Sequence, residues 1–468
     1  MLEKNKCFFG ILKKFKKKTA LIIENGEQIS YNQLLSYSTK LEKILTNNKN
    51  LVFLLGQNNL ETITGYISFV NKGYAVFLID YRINQVFLKK LINLYKPNLI
   101  FTPKKIFELN KFYKSKLNFK SYILLQKRIN INHNINKDLM LLMSTSGSTG
   151  SPKLVRQSYQ NLKSNIDAII KYLKIKGSDT TITSLPISYV YGLSVINTHL
   201  IRGATVVLTN KSMIEKNFWQ ILKKFKVNNF AGVPYNYSII DKIFKNKLPN
   251  TLKYSTQAGG KMDKKLLKKI LLNYKKNKIK FIQMYGAAEA TSRMSYLNWN
   301  DSFKRIGSIG KVIPGGKFHL IDSKGKKIIK PFQKGELVYE GKNVFMGYAE
   351  KLKDLNLPDL NNGRLYTGDI AYMDKDKFYY VEGRKNRYAK IFGLRINLSD
   401  LENILHKKGL NSMMKEIDQN KICIYVKEIS KIKKHLQYLS KITSINQNVF
   451  VVKKMSKNNL TFNYKYKI

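Results

Sequence analysis

Cys7 and Cys423 are the only cysteines among 468 residues. They show no paired spacing, so neither a disulfide framework nor a zinc site is expected, and a reducing, cytoplasmic setting fits. Histidine is scarce as well. His133, His199, His319, His406 and His435 stand singly, each better explained as a surface or satisfied core residue than as a ligand, so no metal cage is read from them. Long apolar runs are missing. None approaches the roughly 18 residues that cross a bilayer, and residues 7–12 are too short for a signal-peptide core, so no membrane span is expected. No internal repeat is present.

Acidic residues are also few, 30 against 84 Lys plus Arg, for a net charge of +54. Such an imbalance ordinarily points to nucleic acid or an anionic membrane. The placement of the lysines argues otherwise. Between residues 261 and 278 the apolar Met262, Leu266, Leu267, Ile270, Leu271 and Tyr274 recur at helical spacing, with lysines filling the other face. The same enrichment runs along the whole chain, whereas a dedicated site concentrates charge and interleaves stacking aromatics. Nucleic acid is therefore not the expected partner. Residues 4–18, with Phe8, Phe9, Ile11, Leu12 and Phe15 among lysines, fit a first helix packed on the body better than a basic amphipathic helix on lipid.

The 43% hydrophobic content suffices for two or three domains with true cores. From residue 51, short apolar runs (51–55, 74–79, 98–101) alternate with helical patterns (60–70, 85–95), and strand patterns recur at 181–184, 204–208 and 230–233. That rhythm predicts βαβ units and a largely parallel sheet. After Gly307 short strands and glycine turns predict a smaller β-rich unit, and after Gly383 a small α+β module follows. The expected fold class is α/β, with a large body over 1–382 and a C-terminal lid over 383–468.

The strongest local signal is STSGSTGSPK, residues 144–153. Hydroxyls and glycines of Thr145, Ser146, Gly147, Ser148, Thr149 and Gly150 make a turn whose N–H and O–H groups can surround a polyphosphate, with Lys153 adding charge. Alone, such a loop is more readily a solvated turn. No Gly-Lys-Ser/Thr closes it, so it is not a Walker A loop. It resembles the phosphate-binding loop of the AMP-forming ligases, the superfamily of acyl-CoA synthetases, adenylation domains and luciferases.

Further segments resemble that superfamily in its order: LPISYVYGLS (185–194), QAGGK (257–261), MYGAAEATSRMSYL (284–297), GELVYEGKNVFMGYA (335–349), YTGDIA (366–371) and EGRKNRYAKIFGLRIN (382–397). The resemblance spans nearly the whole chain. It implies that Gly259, Gly260 and Tyr285 lie along adenine, that Asp369 and Arg384 meet the ribose, and that Glu289 is the catalytic, magnesium-binding carboxylate. It further implies Asn386 at a hinge, and Tyr189, Tyr235 and Gly393 on the acyl or thiol side. The implied cofactors are ATP and Mg²⁺, with coenzyme A or pantetheine as acceptor. The implied partners are a small-molecule carboxylate and an acyl carrier protein. The implied reaction is activation of the acid as an acyl-adenylate, then acyl transfer to a thiol.

Three departures stand out. Ala288 occupies the place of a threonine, Tyr189 that of a common histidine, and Leu460 and Thr461 that of the C-terminal Gly-Lys whose lysine serves adenylation. Lys457, Lys465 and Lys467 are nearby. The alternative to a working ligase is therefore a degenerate member that binds nucleotide or adenylate without efficient adenylation.

Overall fold

Unbroken apolar runs build the first sheet. Leu51–Gly56, Ala75–Asp80 and Leu99–Pro103 are buried along almost their whole length, as strands covered by helices on both faces are. They pair in parallel, with Leu54 opposite Leu78 and Phe101, and Leu139–Ser144 joins beside Ala75–Asp80. Helices Leu60–Asn71 and Gln85–Tyr95 form the crossovers. Asn59 and Asn84 open them, their side chains accepting from N–H groups of the first turn. The complete sheet has eight strands, ending in the antiparallel hairpin of Tyr113–Phe119 and Tyr122–Lys127.

This computed structural model describes residues 8–104, 112–144, 153–244, 248–384, 388–392, 394–418, 420–426, 428–443 and 445–454. They divide into two compact units: residues 1–143 with 154–383, and residues 144–153 with 384–468.

The second sheet of the larger unit has nine strands. Its parallel core runs through Thr205–Val207, Thr180–Ile182, Asn229–Gly232, Tyr254–Gln257 and Lys280–Tyr285. The last three pair with Gly232 opposite Gln257 and Gln257 opposite Gln283, the third strand running on to Tyr285. Helix Lys264–Lys276 buries Leu267, Ile270, Leu271 and Tyr274 and is opened by Asp263, so its lysines do form the outer face. A third sheet, five-stranded, includes Gly316–Ile321, Gly335–Gly341 and Arg364–Met373 paired antiparallel.

The start of the chain departs from expectation. Residues 10–15 form a short 3-10 helix, Gly10–Phe15, rather than a full α-helix. Phe9 and Leu12 are fully buried, Phe9 packing edge-on against Tyr66 at 5.5 Å, so these two side chains face the core and not a lipid surface, while Ile11 stays exposed. The following hairpin, Thr19–Ile22 with Gln28–Ser30, closes an edge of the second sheet, Leu21 pairing with Val206.

In the smaller unit, helix Leu398–Lys407 packs with a three-stranded sheet of Ser412–Asp418, Lys421–Val426 and Phe450–Lys454. The last two strands are parallel, joined through helix Ile429–Thr443. One compositional mark is visible at helix ends. Lys96 and Lys174 adopt the left-handed cap conformation, φ 46° and 55°, where glycine is the common choice.

Candidate active site

In open parallel sheets, ligands bind beyond the carboxyl ends of the strands. Tyr285 is the last residue of Lys280–Tyr285. Its hydroxyl donates to Asp369 Oδ2, and its ring leans on Phe318 at 6.5 Å. Asp369, 2% exposed, belongs to the strand Arg364–Met373 and holds its own N–H on Thr367 Oγ1 at 3.0 Å. The two residues proposed to flank adenosine are thus adjacent, one on each of two sheets.

After Tyr285 the chain turns sharply. A Cβ on Gly286 would lie 1.9 Å from the Ser292 carbonyl oxygen, so only glycine fits. The 3-10 turn Ala288–Ala290 follows, then Thr291 at φ +62°, a conformation that needs outside support in a β-branched residue. Asn343 supplies it. Its backbone carbonyl accepts from Thr291 Oγ1 at 2.6 Å, and its Nδ2 donates to the carbonyls of Ala290 (2.9 Å) and Arg293 (3.0 Å). Tyr339 donates to Asn343 Oδ1 at 2.7 Å.

This turn presents Glu289, which is buried. Its Oε1 accepts from the Tyr348 hydroxyl at 2.9 Å, and its carbonyl accepts from Phe345 N–H at 2.9 Å. The carbonyl of Ala288, the residue that lacks the hydroxyl, accepts from Gln157 Nε2 at 2.9 Å. Among the described residues no three His, Cys, Asp or Glu side chains cluster as a cage. A single carboxylate completed by substrate phosphate oxygens and water is how magnesium is commonly held, and Glu289 fits that mode.

The QAGGK turn follows the neighbouring strand, Tyr254–Gln257. Gln257 Nε2 donates to the Gly260 carbonyl at 2.9 Å. Gly259 has φ +84°, and a Cβ there would meet the Tyr189 hydroxyl at 2.8 Å, so conformation and space both require glycine. Tyr189 caps helix Val190–Ile201, and burial raises its pKa against the opposing charge of Arg293. Tyr235 lies in the first turn of Pro234–Phe244 and packs with Tyr189 around Val233 and Ala258. Lys261 Nζ donates to the Val381 carbonyl at 3.0 Å.

The structure therefore brings Tyr285 to Asp369 and Gly259 to Tyr189, with Glu289 and Gly260 on the adjoining turns. Lys153 directly precedes the strand Leu154–Ser158, and Arg384 ends the strand Tyr379–Arg384, its side chain outside the description. Thr145 to Gly150, Asn386, Gly393 and the tail with Lys457, Leu460, Thr461, Lys465 and Lys467 lie outside the described residues. Sequence reasoning passed over Tyr348 and Asn343, although both stand inside GELVYEGKNVFMGYA, and gave Arg293 no role.

The model of the AMP-binding enzymes matches residues 8–349, which includes the loop after residue 143, the QAGGK turn and the Tyr285–Glu289 turn. The chain belongs to the AMP-binding enzyme family. A 2-succinylbenzoate–CoA ligase of Oceanobacillus iheyensis is 27% identical over 402 residues, covering 83% of this chain and 80% of that one. Another, from a Geobacillus strain, is 28% identical over 269 residues, 57% of this chain and about half (53%) of that relative's length. Among solved structures, o-succinylbenzoate CoA synthetase of Bacillus subtilis, with a product analogue bound, superposes with a TM-score of 0.78 at 19% identity, over 98% of this chain and 99% of that one. At that identity the likeness is one of fold, and it extends through the C-terminal unit. Among the described residues no helix is long and apolar enough to cross a membrane.

Proposed function

We infer that this site carries out the two half-reactions of an AMP-forming acid–thiol ligase: ATP activates a carboxylic acid as its acyl-adenylate with release of pyrophosphate, and the acyl group passes to a thiol. The observation that supports it most is the turn from Tyr285 to Glu289, which sets an aromatic face and a buried glutamate at the end of a parallel strand, with the Asp369 carboxylate of the neighbouring antiparallel sheet hydrogen-bonded to the Tyr285 hydroxyl. Tyr285 offers its ring to adenine, and Asp369 accepts from ribose hydroxyls. Glu289 would hold Mg²⁺ together with phosphate oxygens, and the ion would supply charge that offsets repulsion between carboxylate and phosphate.

Attack of the acid carboxylate on the α-phosphorus expels pyrophosphate. Attack of the thiol on the acyl carbon then expels AMP. Thr145 to Gly150 and Lys153 are assigned to the polyphosphate, Arg384 to the ribose, and Tyr189, Tyr235 and Gly393 to the acyl and thiol side. Residues 383–468 are assigned the lid role, swivelling at Asn386 between the half-reactions. Coenzyme A is the acceptor of the named relatives; a carrier-protein pantetheine would use the same chemistry. A supply of ATP and coenzyme A places the work in the cytoplasm.

ATP–pyrophosphate exchange with a panel of acids, 2-succinylbenzoate included, tests this reading. Acid-dependent exchange that falls at least tenfold in Asp369→Asn is the expected result. Nucleotide binding without exchange for any acid would instead favour the degenerate reading, which the missing Gly-Lys supports.

A further inference from the structure

Arg156 has no exposed surface, and its guanidinium serves the main chain. Nε donates to the Tyr348 carbonyl at 3.3 Å, Nη1 to that of Leu357 at 2.5 Å, and Nη2 to those of Met346 at 2.7 Å and Pro358 at 3.1 Å. Four of its five N–H groups are thus used. Burial lowers its pKa, and the fields of Asp354 and Asp359 act against that. Taking a cation out of water is costly, and the carbonyls that receive it are held by charge-assisted bonds, stronger than neutral ones. The backbone adds two more: Arg156 N–H donates to the Gly347 carbonyl at 3.0 Å, and the Arg156 carbonyl accepts from Met346 N–H at 2.8 Å. Gly347, at φ +110°, comes so close that a Cβ there would lie 3.1 Å from Arg156 Nη2.

What this clamp holds is the support of Glu289. Phe345 N–H donates to the Glu289 carbonyl and the Tyr348 hydroxyl to its Oε1, both at 2.9 Å, and the Phe345 and Tyr348 rings meet edge-on at 4.7 Å. The clamped carbonyls of Met346 and Tyr348 belong to the same four residues. Successive side chains of a strand point to opposite faces. On Leu154–Ser158, Leu154 and Arg156 face Met346, whereas Val155 and Gln157 face the turn that carries Glu289. Gln157, 1% exposed, donates from Nε2 to the Ala288 carbonyl at 2.9 Å. One short strand, beginning just after Lys153, therefore reaches the Glu289 turn from both of its faces.

We propose that Arg156 and Gln157 are positioning residues for the magnesium of Mg-ATP: together they fix the direction in which the Glu289 carboxylate faces, Arg156 through Tyr348 and Gln157 through Ala288. The inference rests on the part of the ligase reading that gives Glu289 the metal, and it names what orients that carboxylate. Outer partners of a metal-binding carboxylate govern affinity in this way.

The test is equilibrium binding of ATP by calorimetry, once with saturating Mg²⁺ and once with the ion removed by a chelator, the gain being the ratio of the two affinities. Arg156→Lys keeps the charge but not the planar fork, and Gln157→Met keeps the length but not the amide. Each should lose about tenfold of the gain and leave metal-free ATP affinity unchanged. Arg156→Lys combined with Tyr348→Phe should lose less than the two single losses multiplied, because one residue acts through the other. Unfolding midpoints, measured alongside, report the structural cost separately, and if Arg156→Lys does not fold, Gln157→Met decides. A folded variant that keeps the full gain, an equal loss with and without the ion, or losses that multiply in the double variant overturns the inference and leaves the ligase reading standing. No gain in the wild-type protein overturns the inference together with the role given to Glu289. Absence of pyrophosphate exchange with every acid, with the gain and its losses as expected, overturns the ligase reading alone.

Discussion

The Tyr348 hydroxyl lies 2.9 Å from Glu289 Oε1. The tyrosine sits on the short strand Tyr348–Ala349, which pairs antiparallel with Leu154–Ser158. The glutamate sits on the turn after Tyr285. A carboxylate donated to on one oxygen is fixed in direction, leaving the other for a metal ion. Tyr348→Phe should therefore raise the magnesium concentration needed for half-maximal exchange by about tenfold, with little change in folding midpoint. Glu289→Gln should lose most of the magnesium dependence outright. A magnesium titration of both variants decides, and an unshifted Tyr348→Phe curve would remove Tyr348 from the metal's support.

The tail offers a second test. If the missing Gly-Lys lysine limits adenylation, Thr461→Lys should speed pyrophosphate exchange by on the order of 10²–10³, while transfer from a supplied acyl-adenylate barely changes. Fast exchange by the unaltered protein, abolished in Lys457→Ala or Lys465→Ala, would show that a neighbouring lysine already fills the role.

Lysine in the left-handed region carries a strain of about 1 kcal/mol that glycine does not. Lys174→Gly, at the cap of helix Tyr159–Leu173, should raise the midpoint of denaturant unfolding. Lys174→Ala should not, because alanine keeps the Cβ.

Burial pushes the phenols of Tyr122, Tyr159 and Tyr191 up to about 12, and others further. Their folded pKa values exceed the unfolded value near 10, so their contribution to stability is intact below pH 10 and is lost as pH rises through 12. Lys49 acts in the opposite sense. Its ammonium donates to the carbonyls of Gly73, Lys137 and Leu139, yet burial lowers its pKa to about 8, so its share of stability grows from pH 8 toward 10.5. Stability should thus climb gently to about pH 10 and fall steeply above it. Tyrosinate absorbance should rise together with loss of circular dichroism; a full tyrosine titration centred at pH 10 in a still-folded protein would contradict this.

The parallel strands were legible because their apolar runs are unbroken, Leu51–Gly56 and Ala75–Asp80 above all. Tyr285, Glu289 and Asp369 could be singled out as candidates because they stand in short motifs whose order is itself informative. Other features carried no local mark. The hairpin Tyr113–Phe119 with Tyr122–Lys127 alternates weakly, being half exposed. Asn343 looks like any turn asparagine until its four bonds are seen. Arg293 is one basic residue among 84, and only its burial distinguishes it.

The hairpin at the start of the chain completes a sheet whose other strands come far later: Thr205 Oγ1 donates to the Thr19 carbonyl across 186 residues, and the Tyr31 hydroxyl donates to the Ala204 carbonyl across 173. On a ribosome these residues emerge well before their partners and must wait, their strand edge open, until residue 207 and the chain beyond it have followed. Contacts of such separation form slowly, and an unpaired edge invites mispairing with other chains. The protein's yield in a cell is therefore tied to how long that early strand stays unclaimed, which makes the pace of translation between residues 30 and 207 a determinant of how much active enzyme is obtained.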